Sequence, residues 1–245
     1  MRIIEAKDYQ DMSKIAADYM IKKVCSFPKL KLGLATGGTP IGIYANLIAD
    51  HQKNGTSYHD VTTFNLDEYV GLSAHDPNSY RYYMNHNLFD HIDIQKNNTI
   101  VPHGDVDDIQ RECAVYEDLL QKHKGIDLQI LGIGKNGHIG FNEPGTSFES
   151  ETHVVELTPS TRKANERFFN SLEEVPTKAI TMGIATIMKS KEILLLISGE
   201  QKKEALERLL TGNVDESFPA SVLKKHPYVT IIADKAAIAG LKIHS

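Results

Sequence analysis

The chain has 245 residues, a length that suits one large domain with a sizeable core. Its hydrophobic content of 41% and charged content of 24% are ordinary for a soluble globular protein. The net charge of −5 argues against a nucleic-acid partner, because binding to phosphate backbones normally needs a concentrated basic surface.

The chain also lacks the usual signals for export, membrane insertion or metal binding. The N-terminal "MRIIEAKDYQDM" has acidic residues where a signal peptide needs an apolar run. The most apolar stretch, "ILLLIS" at 193–198, is too short to span a bilayer. Cys25 and Cys113 do not have the spacing of metal ligands. We therefore expect a cytoplasmic protein without a bound metal.

Short apolar runs alternate with longer amphipathic stretches along the chain. The runs predicted as strands lie at 31–35, 61–66, 127–133, 153–157, 178–183, 192–198 and 228–233. Stretches such as 108–123 and 200–212 predict helices between them, and Gly212 ends the second. This alternation predicts one domain with a mainly parallel sheet covered by helices on both faces. Ligands of such folds bind where the carboxyl ends of strands lead into loops.

The first candidate loop is "TGGTP", after the first predicted strand. Gly37 and Gly38 allow a ligand to approach the backbone closely. Thr39 is expected to cap the next helix, with Pro40 in its first turn. With Thr36, the hydroxyls and the N–H groups of the helix start predict an anion site. A plain capped turn is the alternative interpretation.

The second candidate loop begins at "LDEY", where the strand predicted at 61–66 ends on Asp67 and Glu68. Adjacent residues of an extended segment point to opposite sides, so both carboxylates cannot serve one site. A partly desolvated carboxylate has a raised pKa and can remove a proton from a carbon next to a carbonyl. The alternative is an acidic pair at a helix start, bound by backbone N–H groups.

The third candidate loop is "LGIGKNGHIGFNEPG", at 131–145. Its glycines are expected to permit positive φ and close ligand approach: Gly132, Gly134, Gly137 and Gly140. His138 is placed to face the crevice, with Asn136 and Glu143 near enough to orient it as a general base. No second His or Cys lies at ligand spacing, which disfavours a metal site. A structural histidine is the alternative.

Taken in order, these loops with "TRKANERFF" and "SGEQKKEAL" resemble the glucosamine-6-phosphate deaminase family over most of the chain. The resemblance implies a three-layer αβα sandwich with a modified Rossmann-type, mainly parallel sheet. It implies that glucosamine 6-phosphate and water give fructose 6-phosphate and ammonia, in amino-sugar catabolism and without a metal or organic cofactor. Residues 152–183 resemble the family's mobile lid, within a single domain of residues 1–245.

The resemblance also implies roles for individual residues. Asp67 would move hydrogen between C2 and C1 through an enolamine, and His138 would open the pyranose ring with help from Asn136 and Glu143. The residues that would hold the phosphate are Thr36, Gly37, Gly38, Thr39, Arg167 and Lys202. Lys202 lies in the first turn of a predicted helix, an unfavourable place for a cation unless an anion is nearby. Lys163 is the alternative to Arg167, on the same helical face.

Two features depart from the family pattern. Asn136 stands where many members have aspartate, so Glu143 is expected to carry more of the electrostatic work on His138. The stretch "TSFESETHVVEL", at 146–157, has no Arg or Lys for the anionic effector N-acetylglucosamine 6-phosphate. The sequence ends with "LKIHS", at 241–245, without the longer C-terminal stretch that binds this effector in larger members of the family. We expect a non-allosteric enzyme, either a monomer or a homo-oligomer.

Two other functions compete with this prediction. A 6-phosphogluconolactonase has a similar loop, but that loop usually continues toward Ser-Leu-Phe-Pro rather than "IGFNEPG". A non-catalytic sugar-phosphate sensor would lack the acid–base residues and carry a DNA-binding segment. The presence of "FNLDEY" and of His138 and Glu143 favours the deaminase.

Overall fold

The computed structural model describes residues 1–241, apart from the side chain of Phe168. Most of "LKIHS", one basis for expecting a non-allosteric enzyme, lies outside the described residues. The strands are β1 (Arg2–Ala6), β2 (Lys31–Leu34), β3 (Thr62–Asn65), β4 (Asp67–Tyr69), β5 (Thr99–Ile100), β6 (Leu128–Gly132), β7 (His153–Glu156), β8 (Lys178–Thr181), β9 (Ile193–Ile197) and β10 (Val229–Asp234). The helices are α1 (Tyr9–Ser26), α2 (Ile41–Asn54), α3 (Tyr80–Asn87), α4 (Ile109–Lys122), α5 (Pro159–Asn165), α6 (Ile184–Met188), α7 (Lys203–Thr211) and α8 (Lys235–Ile238). Within residues 1–241, no helix is both long enough and apolar enough to cross a membrane.

The main sheet has seven strands, all parallel, in the order β1-β10-β9-β6-β2-β3-β5. All residues of β9 are buried, and alternate side chains enter different cores. Leu195 belongs to the core that includes Tyr116 of α4 and Leu206 of α7. Leu194 belongs to the opposite core, which includes Met12 of α1 and Ile43 of α2. The predicted three-layer αβα sandwich with a mainly parallel sheet is confirmed.

A second, smaller sheet was not predicted. The strands β4, β8 and β7 form an antiparallel sheet in which Asp67 lies opposite Thr181. The runs predicted at 153–157 and 178–183 belong here and not to the main sheet. Their sequences do not reveal this, because a short apolar run indicates a strand without indicating its partner. The structure shows the difference in burial: the residues of β7 are only partly buried or exposed, whereas those of β9 in the main sheet are all buried.

Candidate active site

The three candidate loops meet beyond the carboxyl ends of β2, β3 and β6. The phenol of Tyr83, on α3 after the second loop, donates to the carbonyl of Gly37 in the first loop at 2.6 Å. In the third loop, a Cβ placed on Gly140 would lie 3.7 Å from Oδ2 of Asp67. The structure therefore brings together loops that are about 30 to 100 residues apart in sequence, at the edge where open α/β sheets bind ligands.

His138, Asn136 and Glu143 form one hydrogen-bonded cluster. The Nδ1 atom of His138 lies 2.8 Å from Oδ1 of Asn136, while Nδ2 of Asn136 donates to Oε2 of Glu143 at 2.7 Å. Because an amide oxygen only accepts, Nδ1 carries the proton, and Nε2 is the basic nitrogen of the neutral imidazole. Nδ1 also lies 3.6 Å from Oε2 of Glu143. Asn136 thus bridges the imidazole and the carboxylate.

Glu143 is held as an anion by its donors. Burial alone would raise its pKa, but the neighbouring His138, when it is protonated, and hydrogen bonds from Thr161 and Asn136 lower the pKa to about 2. The Thr161 hydroxyl, on α5, donates to Oε1 of Glu143 at 2.6 Å. The carboxylate beside His138 is therefore charged throughout the neutral pH range. Sequence reasoning missed Thr161, which gave no signal beyond a position near a helix start.

Two glycines of the third loop make room for neighbouring side chains, Gly134 for His138 and Gly137 for Phe218. A Cβ at Gly134 would lie 2.3 Å from Nδ1 of His138, so the imidazole packs directly on the glycine backbone. Gly137 has a φ of 87°, and a Cβ there would meet the ring of Phe218 at 2.2 Å. Positive φ is also found at Gly140 but not at Gly132 or Gly134, so that expectation is wrong for the last two. At Gly134 the glycine supplies space, not a special backbone conformation.

Asp67 and Glu68 have different environments, as their opposite orientations predict. Glu68 accepts backbone N–H groups from Tyr69, Tyr80 and Arg81 at 2.8–2.9 Å, and so anchors the start of α3. Asp67 is 7% exposed, and its burial, with the neighbouring charge of Glu68, raises its pKa to about 8. Burial also raises the pKa of Glu68, against the effect of its N–H donors. The alternative of a structural acidic pair thus fits Glu68 and not Asp67.

The first loop is held by phenols that bind its carbonyl groups. Besides Tyr83, the Tyr44 hydroxyl donates to the carbonyl of Ala35 at 2.5 Å. The Tyr9 hydroxyl lies 3.0 Å from the carbonyl of Gly38 and accepts the N–H of Gly42 at 2.9 Å. Because these carbonyl oxygens accept phenol hydroxyls, they are not free to turn toward a bound anion and repel it. The sequence indicates only a packing role for Tyr83, because helical periodicity does not show where a phenol hydroxyl ends.

The expected cap of the following helix is absent. Helix α2 begins at Ile41 with Pro40 at its cap position, and it has no side-chain cap hydrogen bond. Thr39 therefore does not cap the helix, contrary to the prediction, because Pro40 occupies the cap position itself. Thr36, Thr39 and the N–H groups of this turn remain the polar groups of the loop.

Lys202 lies beside the third loop. It ends a 3-10 turn, Glu200–Lys202, that precedes α7, so its predicted place in the first turn of a helix is corrected. Its ammonium donates to the carbonyl of Ile133 at 2.7 Å. Burial and the nearby charge of Lys135 lower its pKa. Two cations that repel each other at the mouth of a crevice favour an anionic ligand, and Lys135 was missed because it reads as an exposed loop residue.

Arg167 lies apart from these loops along the chain. It is exposed, on the 3-10 turn Glu166–Phe168 after α5, within the segment predicted to be a lid. Lys163, the alternative cation, forms an ion pair with Glu166 at 2.5 Å and is mostly exposed. Within residues 1–241, no group of three or more His, Cys, Asp or Glu side chains could hold a metal ion.

The arrangement offers two separate proton-transfer groups. The imidazole of His138 is 34% exposed and charge-supported by Glu143, whereas the carboxyl of Asp67 is buried beneath Gly140. The pKa values of the carboxyl groups of Glu143 and Asp67 are shifted in opposite directions, which is typical of acid–base sites. The basic groups of Lys135 and Lys202 add a place for an anion. A small anionic substrate that undergoes two proton transfers fits this site.

Known proteins resemble the chain along its full length. A glucosamine-6-phosphate deaminase of Halalkalibacterium halodurans is 62% identical over 245 residues, covering 100% of both chains. A solved monomeric glucosamine-6-phosphate deaminase has a TM-score of 0.96 and 52% identity, covering 98% of this chain and 99% of that chain. The 6-phosphogluconolactonase of Trypanosoma brucei has a TM-score of 0.81 at 18% identity, with 98% of each chain covered, and shares the fold.

The family comparison agrees with these relatives. The family described as glucosamine-6-phosphate isomerases/6-phosphogluconolactonase matches residues 7–232. That match spans β2 to β9, and so includes every loop of the candidate site. The chain belongs to the glucosamine-6-phosphate isomerase/6-phosphogluconolactonase family.

Proposed function

We infer that this chain is a glucosamine-6-phosphate deaminase, which converts glucosamine 6-phosphate and water to fructose 6-phosphate and ammonia. The observation that carries this inference is the pair of separate proton-transfer groups, a buried Asp67 and a partly exposed His138. Lactone hydrolysis needs no proton transfer at carbon, so it leaves Asp67 unexplained. The 62%-identical relative is named for the deaminase activity.

His138 acts first, on the closed sugar ring. In its neutral form, Nε2 removes the proton of the C1 hydroxyl and then delivers it to the ring oxygen, so that the C1–O5 bond breaks and a C1 aldehyde forms. The imidazolium that results is stabilised by Glu143, whose carboxylate lies 3.6 Å from Nδ1. Asn136 keeps the tautomer fixed.

Asp67 acts second, on the open chain. Its carboxylate takes the C2 hydrogen as a proton, the substrate ammonium gives a proton to the C1 oxygen as the enolamine forms, and Asp67 returns its proton to C1. The product is an iminium ion at C2, which water hydrolyses to the C2 ketone and ammonia. The ammonium group of the substrate favours the ionised form of Asp67, which burial disfavours.

The phosphate is proposed to bind at the first loop. Gly37, Gly38 and the hydroxyls of Thr36 and Thr39 supply neutral donors, and Lys202 supplies charge. Arg167 reaches the same phosphate only from the lid. We narrow the lid from residues 152–183 to the segment between β7 and β8, in a single domain, because these two strands are paired in the small sheet. That segment excludes water while the enolamine exists.

The test is incubation of the purified protein with glucosamine 6-phosphate while ammonia and fructose 6-phosphate are measured. Stoichiometric formation of both is expected. Hydrolysis of 6-phosphogluconolactone without release of ammonia from the amino sugar would replace this proposal by the lactonase.

Removing the Tyr83 hydroxyl is expected to weaken phosphate binding selectively. In Tyr83→Phe the carbonyl of Gly37 loses its donor and can turn toward the anion, so KM should rise about tenfold with kcat within twofold, as for a charged hydrogen-bond network. Tyr82→Phe is the matched control, because Tyr82 is the adjacent exposed tyrosine. Equal KM values for the two variants in steady-state assays would show that the phenol is irrelevant to binding.

The enzyme is proposed to be a non-allosteric monomer. The stretch at 146–157 offers no Arg or Lys for an anionic effector, and the solved relative at 52% identity is described as monomeric. Hyperbolic kinetics, unchanged by N-acetylglucosamine 6-phosphate, are expected together with a monomer mass in light scattering. Sigmoidal kinetics that this effector makes hyperbolic would contradict the proposal.

A further inference from the structure

The hydroxyl of Thr161 connects the proposed lid to the catalytic cluster. Thr161 lies in the first turn of α5, and its hydroxyl donates to Oε1 of Glu143 at 2.6 Å. The other carboxylate oxygen, Oε2, accepts from Asn136 and faces His138. One oxygen of Glu143 is therefore bound from the lid, and the other faces the imidazole.

Thr161 is itself held in a directed chain of hydrogen bonds. Thr158 caps α5 by accepting the backbone N–H of Thr161 at 3.2 Å. The Thr158 hydroxyl also donates to the Thr161 hydroxyl at 3.0 Å, which leaves the Thr161 proton for Glu143. Such chains polarise each bond in the series. The orientation of the Thr161 hydroxyl is thus set by the helix start.

Further contacts hold helix α5, and with it the Thr161 hydroxyl, in place. Arg162 donates to the carbonyls of Leu172 and Val175 at 2.7–3.2 Å, which ties α5 to the chain that returns to β8. Phe169, after α5, packs edge-on against Tyr69 with ring centroids 5.7 Å apart. The lid segment therefore contacts the rest of the site at two places, the ring of Tyr69 on β4 and the carboxylate of Glu143 in the third loop.

We propose that Thr161 is a positioning residue, whose hydroxyl fixes Glu143, and through it His138, only while α5 is seated on the site. This inference rests on the proposed deaminase function. Ring opening is then coupled to lid position, because the base is correctly supported only when the lid shields the substrate. Without the hydroxyl, Glu143 keeps its bond to Asn136 but is free to turn away from the imidazole.

The test compares Thr161→Val, which keeps the shape, with Thr161→Ser, which keeps the hydroxyl. Ser160→Ala is the matched control, since Ser160 lies on the same turn and contacts Thr158, not Glu143. Thr161→Val is expected to lower kcat with glucosamine 6-phosphate about tenfold, the usual scale for a hydrogen bond to a charged group, with KM within twofold. Thr161→Ser should recover most of kcat, and Ser160→Ala should match the wild type.

A second readout separates ring opening from binding. The open-chain alcohol 2-amino-2-deoxyglucitol 6-phosphate has no ring to open, so its inhibition constant should be unchanged in Thr161→Val. A wild-type kcat in Thr161→Val, or an equal loss in Thr161→Ser or Ser160→Ala, would overturn the inference while leaving wild-type turnover intact. Absence of wild-type turnover would instead overturn the proposed function.

Discussion

Replacing Asp67 with asparagine is expected to remove activity and to stabilise the fold at the same time. The amide cannot accept the C2 proton, so kcat should fall by about 10²–10⁴-fold in the ammonia-release assay. Asparagine has nearly the same shape as aspartate, so the loss of kcat reports the loss of proton transfer and not a change in packing. The stability effect has the opposite sign, for an electrostatic reason.

The sign follows from the raised pKa of Asp67. Burial, with the charge of Glu68, raises it from 3.8 to about 8, so the folded state holds this proton more tightly than the unfolded chain. The resulting stabilisation is complete below pH 3.8 and is lost as the pH rises through about 8. Asparagine does not titrate, so the melting temperature of Asp67→Asn should exceed that of the wild type increasingly from pH 5 to pH 9.

Calorimetry at several pH values measures this difference in melting temperature. In a chain of this size, each kcal/mol of unfolding free energy shifts the melting temperature by about 2–4 °C. Asp107→Asn is the control, since Asp107 is exposed on a loop. A difference in melting temperature that does not vary with pH would show that Asp67 is not a buried, protonated carboxyl. Retained activity would show that it is not the base.

Replacing Glu143 with glutamine is expected to slow ring opening by about 10²-fold or more. The glutamine oxygen can still accept from Asn136, and its NH2 group can donate to the Thr161 hydroxyl, so the hydrogen-bond network can be kept while the charge is lost. His138 would then form its imidazolium without a neighbouring anion. This variant therefore isolates the electrostatic part of the support.

The measurement is the isotope effect on kcat/KM with substrate deuterated at C2. Because ring opening is proposed to precede C2 proton transfer, slowing it should bring the isotope effect of Glu143→Gln closer to one than that of the wild type. Glu149→Gln, a change of an exposed glutamate in the same connection between β6 and β7, should behave as the wild type. Unchanged ring-opening kinetics in Glu143→Gln would show that Asn136 alone suffices to support His138.

Much of the fold was accessible from the sequence because its parallel strands are buried on both faces. The run at 192–198 is continuously apolar, and it proved to be a central strand of the main sheet. β1 and β5 were not predicted: β1 is partly exposed and β5 has only two residues. The small sheet was missed because strand pairing is a long-range property that no local pattern records.

The parts of the site whose residues lie close together in one loop were predictable from the sequence. The parts that depend on how far a side chain extends toward another element were not. Asn136, His138 and Glu143 lie within eight residues, so their meeting needed only a tight loop. The bonds from Tyr83 and Thr161 join residues on separate elements, and the length of each side chain decides them. Helix periodicity predicts which face a residue occupies, but not which distant carbonyl or carboxylate it binds.

The pairing of β4 with β8 limits how the proposed lid can be altered. Asp67 lies opposite Thr181 in this register, so the strand that follows the proposed lid also aligns the proposed base. A lid grafted from another protein, or varied by insertion, must keep β7 and β8 in step and confine its changes to residues 157–177. A one-residue slip of β8 would reverse which side chains face the site. Sequence changes in the proposed lid are therefore expected mainly in the loop and helix between these two strands.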